Sequence, residues 1–173
     1  MEAFDAVRTV LAVRRYTDQR VPDQIRDRIV EAGRLAASSI NLQPWHFVVV
    51  ERRDTLRTIG EIMRSGRYTA DAAFAIVVFV ERSSEYRVSD GSRAIQNMVL
   101  TAWSDGVGSN WVGFGPMPEV EKLLGVPGTF EGLAVVPFGY PVGYPAGSVG
   151  RGTKKRKATR AVVSAERFGT PYR

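Results

Sequence analysis

The run AAFAIVVFVE, Ala72 to Glu81, constrains the fold more than any other stretch. Nine apolar residues follow one another before Glu81, with no polar alternation. A strand open to water on one face alternates; a continuous run of this kind is expected of a strand buried on both faces. Such a strand needs cover on each side. HFVVVE and EGLAVVPFGYP read as two further strands.

Helical spacing supplies the cover. Phe4, Val7, Val10 and Leu11 predict a first helix from about Glu2 to Val13. Pro22 suits a first helical position, and Ile25, Ile29, Ala32 and Ala36 mark a second helix. Leu56, Ile59 and Met63 line one face of DTLRTIGEIM. Ser89 or Asp90 can cap a helix through SRAIQNMVLTAWS, which is apolar nearly all round and therefore central. DGVGSN breaks that helix, WVGF is a short extended piece, and PEVEKLLG is a short helix stopped by Gly125. No internal repeat or second domain is visible. The expected class is α+β: one domain over residues 1–173, with a few strands, four or five helices and a long C-terminal arm from about Val142.

Composition closes several routes. With no Cys there is no disulfide, thiol nucleophile or thiolate metal site, and a single His makes zinc or haem improbable. His46 is the one candidate for Ser–His–Asp chemistry, and no nucleophile partner is recognisable; a structural role is the plainer reading. GVGSNW lacks the third glycine of the dinucleotide fingerprint and follows a helix rather than a strand. No apolar run is long enough to span a bilayer, and MEAFDAVRTV opens acidic without a long apolar core, so a cytoplasmic location is expected. The net charge of +6 is concentrated in RGTKKRKATR, Arg151 to Arg160, which holds six basic residues and no acidic one. The rest of the chain is close to neutral. A nucleic-acid role for that arm would want interleaved aromatics or a recognisable module, and neither is present.

ASSINLQPWHFVVV, Ala37 to Val50, sets Ser38, Ser39, Asn41 and Gln43 directly before a strand. These residue types often satisfy loose backbone groups at a helix end. A ligand loop is the alternative, and on spacing alone the backbone role is the plainer reading. Arg14 and Arg15 have the same two readings, a solvated helix end or an anion contact.

The stretch VRRYTDQRVPDQIRDRIVEAGRLAASSINLQPWHFVVVE resembles the opening of the nitroreductase family of flavin enzymes, with Ala37 where the family usually has Pro. SRAIQNMVLTAWSDGVGSNWVG, LLGVP, VVPFGYP and KKRKATRAVVSAERFG continue the resemblance in order. It implies a three-layer fold with a central mixed sheet flanked by helices, and a C-terminal arm embracing a partner subunit. It further implies FMN bound at the interface of a homodimer. NADH or NADPH would reduce the flavin, and a nitroaromatic, quinone or similar acceptor would reoxidise it in a ping-pong cycle. By the same resemblance, Arg14, Lys154 and Arg156 would contact the FMN phosphate. Ser38, Ser39 and Asn41 would contact the flavin from the partner subunit, and Trp111, Val112 and Gly113 would lie beside the ring. No side chain need act as acid or base, because the cofactor carries the chemistry. Val10, Leu11 and Ala12 stand where the family usually has Arg-Arg-Ser, and Arg8 is the candidate substitute. That departure leaves open a flavin- or deazaflavin-binding protein of the same fold without nitroreductase turnover.

Overall fold

A computed structural model describes residues 1–143 and 154–172. Arg151, Gly152 and Thr153 of the basic run lie outside the described residues, as does the arm from residue 144 to them. Among the described residues the α-helices are α1 (Ala3–Thr9), α2 (Asp23–Arg34), α3 (Arg53–Ile62), α4 (Arg87–Ser104) and α5 (Pro118–Leu123). The strands are β1 (Trp45–Val50), β2 (Phe74–Glu81), β3 (Gly108–Ser109) and β4 (Phe130–Gly139). They form one sheet in the order β1-β2-β4-β3.

β2 occupies an interior position, paired antiparallel to both β1 and β4, and seven of its eight residues are buried. Its side chains alternate between two cores, as the pleat requires. Phe74, Ile76, Val78 and Val80 face Ile29 of α2 and Ile95, Met98 and Ala102 of α4. Ala75, Val77 and Phe79 face Leu56 and Ile59 of α3 and Val120 of α5. This is the expected three-layer α+β arrangement. The named strands all pair antiparallel, and the parallel component of the expected mixed sheet is a single bridge between Ala12 and Ser109.

That bridge explains where the first helix ends. It stops at Thr9, not at Val13, because Val10 turns to φ −55°, ψ 132°. Val13 then donates its N–H to the Ser109 carbonyl at 2.9 Å. Val13 and Tyr16 bury themselves against Trp103 and Ala72, and this packing outweighs four residues of helical periodicity. Arg14 therefore sits in an extended segment and does not project from a helix end. α4 also departs from expectation. It begins at Arg87 with Tyr86 at its N-cap and no side-chain cap, so neither Ser89 nor Asp90 is the cap. β3 lies inside the stretch read as a simple helix break; two residues are too few to leave a strand pattern. No helix among the described residues is long and apolar enough to cross a membrane.

Candidate functional site

The segment before β1 is backbone-strained. Ile40, Asn41 and Gln43 have φ of 46°, 60° and 51°. For residues with a Cβ this left-handed region costs about 1–2 kcal/mol each, least for Asn. Strain of this kind persists only when the surroundings over-determine it. Here the Gln43 N–H donates to Ser38 Oγ at 2.9 Å, and Gln43 Nε2 donates to Asn41 Oδ1 at 3.3 Å. Pro44 is buried, and its carbonyl accepts from the Glu81 N–H at 2.9 Å, which ties the segment to β2. The Ser39 N–H donates to Asp90 Oδ2 at 3.0 Å, and Ser39 Oγ lies 3.4 Å from Asp90 Oδ1. Asp90 is wholly buried, in the first turn of α4, where the helix dipole favours a carboxylate. Sequence reading saw it only as a possible cap. Among the described residues no acceptor takes the Ser38 hydroxyl hydrogen or the Asn41 amide N–H groups, and Asn41 is exposed.

The Trp111–Gly113 segment divides by residue. Val112 is buried in the core beneath the sheet, and both its backbone groups bond to Val135 at 2.9 Å. It holds the segment in place, its N–H spent on Val135 and its carbonyl already accepting from Val135. Trp111 is partly exposed and turns its indole N–H onto the Gly113 carbonyl. Gly113 adopts φ +82°, and a Cβ there would come within 2.6 Å of Met63 Cε. Beyond it Phe114 is 93% exposed, between two left-handed glycines, its ring stacked on Trp111 at 6.2 Å. Sequence reading gave Phe114 no role.

Lys154 and Arg156 meet Arg8 in one groove of about 640 Å³, walled on its apolar side by Phe4, Val7 and Val10. Lys154 Nζ donates to the Val7 carbonyl at the end of α1, docking this part of the arm on its own chain. Burial and, secondarily, the Arg156 charge hold the Lys154 ammonium below the usual lysine pKa. Crowded cations of this kind suit an anion that accepts several charge-assisted hydrogen bonds. Arg8 also pairs with Asp5 at 3.0 Å. Arg14 does not line this groove. It is exposed, and its charge acts on Tyr16, modestly opposing the burial that pushes the Tyr16 hydroxyl far above the usual phenol range. His46 packs edge-on to Phe130 at 6.0 Å at the rim of a mostly apolar pocket of about 190 Å³, which agrees with a structural role. No cluster of three or more His, Cys, Asp or Glu side chains able to hold a metal occurs among the described residues.

A nitroreductase family model matches residues 8–72 and 67–140. The chain belongs to the nitroreductase family. A relative from Methanothermobacter thermautotrophicus, whose name marks it as a candidate NADH dehydrogenase/NAD(P)H nitroreductase, is 34% identical, with 84% of this chain and 80% of that protein covered. A solved structure of a similarly named protein from Parabacteroides distasonis is 30% identical, with a TM-score of 0.85 over 96% of this chain and 98% of that one. An FMN-dependent nitroreductase from Clostridium difficile, 21% identical, shares the fold at a TM-score of 0.84, over 95% of this chain and 99% of that one. The groove offers cations to an anion, and the polar segment offers neutral hydrogen-bonding groups.

Proposed function

We propose that this member of the family is an FMN-dependent NAD(P)H oxidoreductase, working as a cytoplasmic homodimer with FMN at the subunit interface. The observation that carries the reading is the strained Ser38–Gln43 segment, where three left-handed residues are locked so that Ser38 and Asn41 present donors. When bound, FMN supplies hydride acceptance and donation at N5, linking a nicotinamide donor to a nitroaromatic, quinone or similar acceptor in ping-pong fashion. Arg8, Lys154 and Arg156 hold its phosphate, and Trp111, Gly113 and Phe114 flank the ring. Val112 fixes that wall from behind, and Ser39 anchors the polar segment.

Two chains per site fits the placement of these parts. Asp90, which holds the polar segment, and Gln96, which lines the basic groove, are six residues apart on α4. Helical geometry puts them about 9 Å apart along the axis and roughly 120° apart around it. That separation is compatible with a site in which one copy supplies the groove and a second copy the polar segment. The exposed apolar side chains Phe4, Val7, Ile40 and Leu42 beside them are what such a contact would cover.

A second reading, a flavin- or deazaflavin-binding protein without this turnover, draws on Val10, an apolar side chain in the groove wall that reduces its grip on phosphate. Anaerobic titration separates the two. An oxidoreductase loaded with FMN loses its yellow colour on adding NADH or NADPH and regains it with a quinone; a binding protein stays yellow.

A further inference from the structure

We propose that Asp90 is the positioning residue of the flavin-facing segment, a role that rests on the functional reading above. Its carboxylate is fully buried, and three groups converge on it: the Ser39 N–H at 3.0 Å, Ser39 Oγ at 3.4 Å and Arg93 Nη1 at 3.2 Å. Two of these come from across the fold, 51 residues away in sequence. Ser39 immediately precedes Ile40 and Asn41, the first two left-handed residues. An anchor at that point fixes the peptide entering the strained turn, while Pro44 fixes the peptide leaving it. Between the two anchors, the Asn41 side chain accepts from Gln43 Nε2 at 3.3 Å. Asp90 is wholly buried, so it acts through Ser39 and not by touching a ligand. Its contribution is to prepay the ordering of the segment, so that binding does not have to supply it.

The test compares Asp90→Ala and Asp90→Asn with Leu56→Ala and the milder Ile59→Val, buried controls on the opposite face of the sheet. FMN affinity is read by titrating flavin-free protein, and Ser39 amide exchange is followed in the same samples. Asp90→Ala weakens FMN binding tenfold or more, the size expected when a charged hydrogen bond to backbone is lost. It also exposes the Ser39 amide to exchange and changes the visible circular dichroism of the bound flavin. Asp90→Asn keeps an acceptor for Ser39 and loses about threefold, with intermediate exchange. The controls lower the melting temperature but leave FMN affinity within twofold. The proposal is overturned if Asp90→Ala binds FMN as the wild type does. It is equally overturned if affinity simply tracks melting temperature across all four variants. Should Asp90→Ala not fold, Asp90→Asn decides: unchanged affinity and unchanged Ser39 exchange overturn it. If the wild type takes up no flavin, the functional reading fails, and Ser39 exchange still decides whether Asp90 is the anchor.

Discussion

Arg156→Ala is the perturbation whose size can be worked most fully from the groove. Arg156 Nη1 donates to the Lys155 carbonyl at 3.1 Å, which among the described residues leaves four of five guanidinium N–H groups for an anion. Lys154 spends one donor on the Val7 carbonyl and keeps two. A charge-assisted hydrogen bond contributes about 1.5–3 kcal/mol, and exposure of Arg156 places the loss at the low end through solvent screening. About 1.5 kcal/mol is close to tenfold in Kd for FMN. Riboflavin has no phosphate and should bind the variant and the wild type alike. Lys157→Ala, next along the arm and outside the groove lining, should change neither. pH adds a second signature. The Lys154 ammonium is held below the ordinary lysine value partly by Arg156, so wild-type affinity should decline at a lower pH than a free lysine would dictate. Removing Arg156 should move that decline upward. Fluorescence titration of flavin-free protein with FMN and riboflavin from pH 7 to pH 10 measures all of this. Equal FMN affinity in wild type and Arg156→Ala, or an equal loss for riboflavin, refutes the assignment of Arg156 to the phosphate.

Tyr16→Phe removes a buried hydroxyl that lies 2.9 Å from the Val13 carbonyl and 3.2 Å from that of Pro137, and should cost about 1 kcal/mol in denaturant melts. Burial raises the folded-state pKa of Tyr16 above its unfolded value of 10.0, so its contribution is complete below pH 10 and falls away as pH rises; the Phe variant should lack that alkaline loss. Gly66→Ala places a Cβ 2.2 Å from Val112 Cγ1, a stiff core side chain, and should cost about 1–3 kcal/mol in melts while shifting the Trp111–Gly113 wall and the fluorescence of bound flavin. Mixing Arg156→Ala with Asn41→Ala should restore one sound FMN site per dimer if each site takes its groove and its polar segment from different chains; no recovery places both within one chain.

The fold was largely legible because its strongest signal, the unbroken apolar run of β2, is a local property of the sequence with one structural meaning. Leu56, Ile59 and Gly125 likewise did in the structure what their spacing and type announce. The departures share a cause. Val10 to Val13 leave the helix to bond Ser109, a partner 96 residues downstream of Val13 that no window of sequence contains. Asp90 looks like a cap from its neighbours, and becomes an anchor only through Ser39 across the fold. At the candidate site, the polar segment and the Lys154–Arg156 pair could be picked out because they resemble a family pattern. Their division of labour could not. That Val112 bonds Val135 through both backbone groups, that Ser39 faces inward, and that Arg14 lies outside the basic groove all depend on tertiary contacts, whereas Arg8 was the substitute the sequence offered.

The most direct measurement is the flavin that the purified protein retains. Flavin-free chain is incubated in turn with FMN, FAD and riboflavin, desalted, and denatured to release what remains bound. FMN at one per chain, with FAD excluded and riboflavin held more weakly, is the predicted result, because the cations of the groove suit a single terminal phosphate. Protein that retains none of the three contradicts the reading of Arg8, Lys154, Arg156 and the Ser38–Gln43 segment as a cofactor site.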